Sequence, residues 1–424
     1  MPLHSPMRLR APSQAQYEGI LQAYREAMVA LQGEEAGISL SGSSSGAPIL
    51  DRLILESLYR GRDLDPAPDG PGGLPSYVDR VFRSAAGIEV ESEYGGIVLK
   101  NLRERCLESE LSEEILAYIF ELKLQEMEGA RRKGEGAFYT PASVARTIVG
   151  FTLGPLVEAG RPSVVGPGKP DCRDTEVLRW RAYRTGVLDE LRILDPSCGG
   201  GVFLLAALDF LCDAHRGVDA ALQELGGEDS ESWSPEQIVS RNLFGVDLDP
   251  GAVEVADAAL WLRAQAQGGS PHQWSPQLWV GNALVDDSLV DPRALDWLER
   301  FPDIFRGGGF HAVVGNPPYV RQEAFRHFKP YLKDHFESYN GFADLYLYFL
   351  EKGISLLRPL GMLGFITPNK WFRVASAASL RSLVGRCTHV HRVVDFGHSP
   401  IFRNRDAFPA VTVLERLPEG VAPK

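Results

Sequence analysis

The sequence contains few cysteines and none at metal-binding or redox spacing. Its 424 residues include five cysteines, which are scattered and never form a C-x-x-C pair. A disulfide scaffold or a zinc ribbon needs a denser, paired set, so both classes are excluded. The cysteine pattern fits a reducing compartment, and we predict a cytoplasmic protein.

The sequence also lacks long apolar runs. None reaches about 18 residues, the length at which a segment becomes a candidate membrane-spanning helix. No continuous apolar stretch follows the arginines near the N-terminus, so no secretory signal is visible. The motif G-x-x-x-x-G-K-[ST] is absent, which excludes the phosphate loop of a motor ATPase. These absences predict no association with a membrane.

Positive charge is scarce except in one segment. Lysine and arginine number 44 against 56 acidic residues, which gives a formal net charge of −12. An acidic surface repels nucleic acid, so binding to DNA would require a local basic patch. Residues 370–405 contain seven basic residues and one acid, Asp395. This basic segment is the candidate patch, although a solvated face without a partner is an equally simple interpretation.

Composition divides the chain into three regions. Residues 1–130 have helical periodicity with Ser/Gly and Pro/Gly interruptions, and predict a helical N-terminal region with flexible linkers. From residue 131 to 416, short β-branched runs alternate with helical stretches, which predicts a doubly wound α/β sheet. Residues 417–424 form a tail. The predicted strands are 191–195, 243–249, 278–280, 311–315, 362–367, 390–396 and 410–414.

Two polar insertions interrupt this rhythm, at residues 160–184 and 226–241. We predict surface loops or short extra helices there.

A glycine-rich turn follows the first predicted strand. The sequence D-P-S-C-G-G-G, from Asp195 to Gly201, leads into a predicted buried helix. Glycines let the backbone approach a ligand closely, and the helix N-terminus offers free N–H donors. The next strand carries Asp247, an acid that can bind both hydroxyls of a ribose. The separation in sequence between the glycine turn and Asp247 is far larger than the roughly 20 residues of a dinucleotide-binding motif. This separation disfavours a nicotinamide enzyme and favours another nucleoside-containing cofactor.

Upstream, the sequence G-A-F-Y-T-P precedes an apolar helical stretch. Thr140 suits the N-cap of that helix, and Pro141 suits its first position. A well-capped helix is the simpler interpretation, but such a helix N-terminus beside a cofactor could also hold a carboxylate.

The tetrapeptide Asn316-Pro317-Pro318-Tyr319 follows the fourth predicted strand. Two prolines after a strand force a rigid, extended loop without N–H donors of its own. Such a loop can present the Asn316 side-chain oxygen and the Pro317 carbonyl as paired acceptors for an exocyclic amino group. Tyr319 is then placed to stack on a planar base. A strand-terminating turn is the alternative, and the position two strands after the ribose acid disfavours it.

In their order, these motifs resemble the gamma-class N6-adenine DNA methyltransferases of restriction–modification and phage-defence systems. The similarity spans about residues 133–416 and includes FYTP, DPSCGGGVFL, GVDLDP, VGNAL, VVGNPPYVRQE, ADLYLYFLEKGISLLRPLGMLGFITPNKWF and IFRNRDAFPAVTVL. The resemblance implies a Rossmann-like methyltransferase sheet of about seven strands and S-adenosylmethionine as the methyl donor.

The resemblance also implies which residues bind this cofactor. Its methionine portion would lie on the first helix and the glycine turn, its ribose on Asp247 and its adenine on Asn282. Many relatives have an acid where this chain has Asn282, and an amide can still contact the adenine amino group. The implied cofactor-binding residues are Tyr139, Thr140, Asp195, Ser197, Cys198, Gly199, Gly201, Asp247 and Asn282.

The same resemblance implies that residues 316–319 form the catalytic loop and that Phe402 faces Tyr319 across the target base. Phe408 is an alternative for that position, and a core phenylalanine is an equal interpretation for either. The aromatics of residues 342–349 have helical spacing and are predicted to be core residues, with Asp344 orienting the loop. His389 and His391 lack further ligands at metal spacing, so no metal site is predicted.

The predicted activity is methyl transfer from S-adenosylmethionine to the N6 amino group of an adenine that is flipped out of double-stranded DNA. The predicted location is the cytoplasm, in association with the nucleoid. Four alternatives stay open: an N4-cytosine, an RNA or a protein-glutamine methyltransferase, and a catalytically silent scaffold subunit. A protein amide offers the same two hydrogens as the adenine amine.

Sequence specificity is expected to come from elsewhere. The last predicted strand ends at residue 414, and the tail that follows is too short to fold into a DNA-reading module. Contacts of the basic segment with the DNA backbone would carry no sequence information. We therefore expect a specificity or nuclease partner subunit, or that this chain is the N-terminal part of a longer protein.

Overall fold

A computed structural model describes residues 140–163, 173–226, 233–269, 274–397 and 408–421. The predicted N-terminal region, Tyr139 and Phe402 lie outside these residues. Seven strands form one sheet in the order β3-β2-β1-β4-β5-β7-β6. The strands are β1 (Ile193–Asp195), β2 (Leu243–Asp247), β3 (Gln277–Val280), β4 (Phe310–Gly315), β5 (Leu357–Pro368), β6 (Thr388–Asp395) and β7 (Pro409–Arg416).

The sheet is parallel except at β7, which runs antiparallel to both β5 and β6. Each observed strand overlaps one predicted strand, and the predicted doubly wound α/β fold of about seven strands is confirmed. The predicted and observed strands agree because a parallel sheet that is covered on both faces needs nearly continuous apolar strands, which are visible in the sequence.

Helices cover both faces of the sheet. They are α1 (Ala142–Glu158), α2 (Arg173–Tyr183), α3 (Val202–Glu224), α4 (Pro235–Asn242), α5 (Pro250–Ala266), α6 (Trp297–Arg300), α7 (Pro302–Arg306), α8 (Lys329–His335), α9 (Leu345–Leu356) and α10 (Ala378–Cys387). A π-helical turn, Arg184–Leu188, follows α2. The polar insertions thus contain short extra helices, α2 and α4, where the structure describes them.

The sheet has one hydrophobic core on each face, because successive side chains of a strand point to opposite faces. Ile193 of β1 packs with residues of α1 and α3, whereas Leu194 packs with residues of α9 and α10. Ala312 and Val313 of β4 divide between the two cores in the same way. The result is a three-layer arrangement that holds the ends of the central strands in place.

One core prediction was wrong. Tyr346, Tyr348 and Phe349 of α9 are buried as predicted, but Phe342 is 78% exposed. The helix begins only at Leu345. Phe342 therefore lies in the preceding loop, where helical spacing does not apply.

Within the described residues, no helix has the length and apolar character needed to span a membrane. The same residues contain no cluster of histidine, cysteine or acidic side chains suited to a metal ion.

Candidate functional site

The motif residues meet at the carboxyl edge of the sheet. Asp195 ends β1, Asp247 ends β2, and Asn282 and Asn316 follow β3 and β4. These strands are mutually parallel, so their carboxyl ends lie at one edge. The strand order reverses between β1 and β4, which is where open α/β sheets place their ligands.

Asp195 is fully buried between the ends of β1 and β4. A Cβ atom added at Gly315 would lie 2.8 Å from Asp195 Oδ1, so only glycine fits at the end of β4. The backbone N–H of Ser197 donates to the same oxygen at 3.1 Å. Burial raises the pKa of Asp195 well above its ordinary value, and the nearby Asp247 carboxylate raises it further.

Asp247 joins the turns that follow β1 and β2. The backbone N–H of Gly199 donates to its Oδ2 at 2.8 Å, and that of Asp249 donates to its Oδ1 at 2.9 Å. Burial raises the pKa of Asp247, and these N–H groups act against that effect. Asp247 thus holds the glycine turn in place, a role that sequence reasoning did not identify.

The backbone of the glycine turn lies close to a neighbouring helix, as its glycines predict. Gly201 has a φ of 87° and immediately precedes α3. A Cβ atom at Gly201 would lie 3.1 Å from the Cβ of Ala256 in α5. The N–H of Cys198 donates to the Val246 carbonyl at 2.9 Å. Burial raises the pKa of the Cys198 thiol well above its ordinary value, so this side chain is a neutral packing group.

Asn282 is bonded within its own loop. Its amide nitrogen donates to Asp291 at 2.8 Å, and its oxygen accepts from the N–H of Leu284 at 3.0 Å. Burial by itself would raise the pKa of Asp291, but hydrogen bonds from Asn282 and Arg293 outweigh it and hold the pKa below its usual value. This chain therefore places a buried carboxylate beside Asn282, and no spacing in the sequence pointed to it.

Asn316 contacts a residue that is distant in the sequence. Its amide nitrogen donates to the Thr140 hydroxyl oxygen at 3.0 Å across a separation of 176 residues. Thr140 is buried and precedes α1, whose N-cap is Pro141 and not Thr140 as predicted, because the Thr140 hydroxyl is bonded to Asn316 instead of capping the helix. This hydrogen bond brings Thr140 of the FYTP motif and Asn316 of the NPPY motif into one site, with the amide nitrogen directed toward Thr140.

The rest of the predicted catalytic loop, residues 317–319, is held by β5 and α9. Pro317 is buried and Pro318 is half-buried. The Tyr319 hydroxyl donates to the Ile366 carbonyl of β5 at 3.3 Å, and burial raises the pKa of this hydroxyl so that it stays protonated. The Tyr319 ring meets the Tyr346 ring edge to face, with centroids 5.9 Å apart. The orientation of the Tyr319 ring is therefore set by the fold.

Phe408 lies at the same edge of the sheet. It is 38% exposed and immediately precedes β7. Its carbonyl accepts the N–H of Asn369 at 2.7 Å, just beyond the end of β5. The Asn369 amide donates to Asp395 at the end of β6, at 3.0 Å. Phe408 thus lies on the same side as the catalytic loop, while the choice between Phe402 and Phe408 stays open.

Comparison with known proteins shows which family and relatives this chain resembles. Residues 241–402 match the family described as Eco57I restriction-modification methylase. The type II methyltransferase M.PaeR7I of Pseudomonas aeruginosa is 31% identical over 233 residues, which cover 54% of this chain and 36% of the relative. The adenine-specific methyltransferase PglX of Streptomyces coelicolor is 25% identical over 306 residues, which cover 64% of this chain and 22% of the relative. The chain thus spans well under two thirds of the length of these relatives.

A solved structure shares the fold. The type IIL restriction-modification enzyme MmeI, in complex with DNA, superposes with a TM-score of 0.61 at 15% identity, and the match covers 95% of this chain and 57% of that one. S-adenosylmethionine is the cofactor of these methyltransferases. Residues 241–402 are therefore similar to the Eco57I restriction-modification methylase domain, which confirms the resemblance of this chain to S-adenosylmethionine-dependent methyltransferases of restriction–modification systems.

Proposed function

We propose that this chain transfers a methyl group from S-adenosylmethionine to the N6 amino group of adenine in double-stranded DNA. The main support for this proposal is the hydrogen bond between Asn316 and Thr140. Because the amide nitrogen donates to the Thr140 hydroxyl, the amide presents its oxygen as the acceptor in the site. An acceptor in this position suits a substrate that brings N–H donors, as an exocyclic amine does.

The groups at the carboxyl edge of the sheet suit the binding of S-adenosylmethionine. Asp195 Oδ2 and Ser197 Oγ are buried and have no hydrogen-bond partner among the described residues. An ammonium group is a suitable partner for this carboxylate, because an opposite charge favours its ionised form. Gly199 and Gly201 leave the backbone open to a ligand, and Asp247 would hold the ribose. When bound, the cofactor supplies a methyl group carried by a positively charged sulfur.

The chain's own groups would activate the amine. The adenine amino nitrogen is a poor nucleophile because its lone pair is delocalised into the ring. Hydrogen bonds from its two hydrogens to Asn316 Oδ1 and the Pro317 carbonyl favour a pyramidal nitrogen, whose lone pair would form the bond to the methyl group as the bond from that methyl group to sulfur breaks. The methylated nitrogen would then lose one proton to solvent. Because the proline loop is rigid, these acceptors need no reorganisation during the reaction.

A paired base cannot reach this loop, so the adenine has to leave the duplex. Stacking on Tyr319, whose orientation is set by β5 and α9, would offset part of the cost. Phe402 or Phe408 would cover the opposite face of the base. We propose that sequence selection comes from a partner subunit or from a further part of a longer protein.

DNA is favoured as the substrate by the charges around the site. Arg321, Lys370 and Arg373 are exposed on the loops that follow β4 and β5. Such cations can contact phosphates on either side of an extruded base. The name of PglX supports adenine as the base, and the solved complex of MmeI supports DNA as the polymer.

The proposed function is tested by incubating the full chain with genomic DNA and isotopically labelled S-adenosylmethionine. The DNA is digested to nucleosides, and mass spectrometry is expected to find the label in N6-methyladenine. Label in N4-methylcytosine, or label incorporated only when RNA or protein is supplied, would contradict the proposal. Long-read mapping of DNA from cells that express the chain then identifies the methylated sequence.

Replacing Thr140 with valine should lower kcat by about tenfold, the effect of one lost hydrogen bond in the transition state. The substitution keeps the shape of the side chain but removes the hydroxyl that orients the Asn316 amide. Thr147→Val is the matched control, because this hydroxyl only donates to the Ser143 carbonyl on the surface of α1. Equal kcat values for the two variants would contradict the orienting role of Thr140.

Cofactor binding should depend on the ionisation of Asp195. Burial raises the pKa of its carboxyl in the free chain, whereas the ammonium of the cofactor favours the ionised form. Affinity should therefore increase as the pH rises through this raised pKa, and binding below it should release a proton. Calorimetry in buffers with different ionisation enthalpies measures that release.

The Asp195→Asn variant should bind the cofactor more weakly and lose this proton release. Because an ionised carboxyl is unfavourable in this buried position, the same variant without cofactor should be more stable at neutral pH than the parent chain. Binding by the parent chain without proton release at any pH at which the chain is folded would rule out the role of Asp195.

A further inference from the structure

The loop before α9, residues 336–344, is held rigidly by the structure around it. The carboxylate of Glu351 in α9 accepts the backbone N–H groups of Glu337 and Ser338, each at 2.8 Å. The Tyr348 hydroxyl donates to the Asn340 carbonyl at 3.0 Å. Hydrogen bonds from two side chains of the following helix therefore fix the course of this loop.

The tip of the loop is fixed as well. The Lys329 ammonium donates to the Gly341 carbonyl at 2.8 Å. The N–H of Phe342 donates to Asn340 Oδ1 at 3.0 Å, and the N–H of Ala343 donates to the Asn340 carbonyl at 2.9 Å. The backbone at the tip is thus ordered before any partner is bound.

This ordered tip presents one large apolar side chain to solvent. Phe342 is 78% exposed, whereas the neighbouring Ala343 is fully buried. Phenylalanine is among the residue types most often buried, and here its ring is held on a fixed backbone where a partner can reach it. A partner that covers the ring would not have to order the backbone beneath it, a cost that normally reduces affinity.

The Phe342 loop borders the catalytic loop. The N–H of Leu345 donates to the Val320 carbonyl at 2.9 Å, one residue beyond Tyr319. Asp344 forms an ion pair with Lys370, which lies just past the end of β5. Phe342 therefore lies at the carboxyl edge of the sheet, beside the loop that would receive the target base.

Charges around this edge suit duplex DNA. Arg321 follows the catalytic loop and Arg373 follows β5, and both are exposed, whereas Lys370 is paired with Asp344. Cations can contact the phosphates, and an aromatic ring can stack on the bases between them. An apolar protein surface would not need these cations, so DNA is the partner that matches both features.

We propose that Phe342 enters the DNA duplex and occupies the space that the target adenine leaves when it flips out. This inference rests on the proposed function. Extrusion of a base removes stacking from its two neighbours, and an inserted aromatic ring restores part of that contact. Phe342 would thus hold the duplex in the flipped state, whereas Tyr319 would hold the base.

The test compares Phe342→Ala with the parent chain on two duplexes that contain an adenine, in its natural flanking sequence, that long-read mapping finds methylated. One duplex is fully paired, and in the other the target adenine is mispaired, which lowers the cost of flipping. On the paired duplex, Phe342→Ala should lose about 10- to 100-fold in kcat/KM, the scale of one lost stacking contact. On the mispaired duplex the loss should be about threefold or less.

A fluorescent readout follows flipping directly. With 2-aminopurine at the target position, the parent chain should raise the fluorescence, and Phe342→Ala should raise it much less. Phe342→Trp should retain the signal, because its ring can also stack. Leu298→Ala is the matched control: Leu298 is 65% exposed, and the adjacent Trp297 ring contacts Phe310 at the start of β4, the opposite edge of the sheet.

The results of these experiments separate the role of Phe342 from the proposed function. An equal loss on both duplexes, or no loss on the paired one, would overturn the role of Phe342 while methylation by the parent chain upholds the proposed function. Failure of the parent chain to methylate adenine in either duplex would overturn the proposed function, and the inference with it. The melting temperature of Phe342→Ala should equal that of the parent chain, because an exposed side chain contributes little to stability.

Discussion

Replacing Asn316 with alanine is expected to lower kcat for methyl transfer by at least about a hundredfold, the scale for removing a group that stabilises the transition state. The variant loses the side-chain acceptor for the amine and the partner of the Thr140 hydroxyl. The Kd of the cofactor should change little, because the substitution leaves Thr140 in place and the other groups proposed to bind the cofactor follow β1, β2 and β3. Single-turnover kinetics and calorimetry measure the two effects separately.

A second substitution separates the acceptor from the fold. Asn316→Asp keeps a side-chain oxygen in the same position but loses the N–H that donates to Thr140, so it should retain more activity than Asn316→Ala. The melting temperatures of both variants serve as the control for folding. Turnover by Asn316→Ala above a few per cent of the parent value would contradict the assignment of Asn316.

Asp247→Ala should weaken cofactor binding by about 2–3 kcal/mol, the value of hydrogen bonds to a charged group. Two effects add in this variant. The ribose would lose its acceptor, and the N–H groups of Gly199 and Asp249 lose the carboxylate that joins their turns. A fall in the melting temperature should therefore accompany the loss of affinity in calorimetry.

Asp249→Ala is the matched control for Asp247→Ala. Asp249 caps α5 by accepting the N–H of Gly251 at 2.8 Å. Its loss should cost about 1 kcal/mol of stability, as for other N-caps, with the cofactor affinity retained. Loss of affinity in Asp249→Ala, with normal affinity in Asp247→Ala, would transfer the ribose role to Asp249.

Local pattern was sufficient to predict the central elements. Three segments have a composition that is compatible with few conformations. They are the apolar run that ends at Asp195, the glycine turn after it and the strand that ends at Gly315. The placement of Asp247 and Asn316 at one edge follows from the parallel strands, which share a direction. For this reason the edge that carries the candidate site could be predicted before any distance was known.

Other properties depended on contacts between distant segments. Neither local pattern nor spacing indicates that Asn316 meets Thr140, 176 residues away, because only the packing of α1 beside β4 brings them together. Asn282 was predicted to face the cofactor, and its hydrogen bonds to Asp291 and Leu284 were not foreseen because they depend on the path of a loop.

The sequence by itself determined the order of the elements, the edge at which the motif residues lie and the chemical class of the candidate site, because each of these depends on residues that are near one another in the chain. The tertiary structure alone decided how individual side chains are used. Asp247 holds a turn, and Phe342 is exposed where helical spacing predicted burial. Periodicity describes one element at a time, whereas the environment of a side chain is set by all the elements around it.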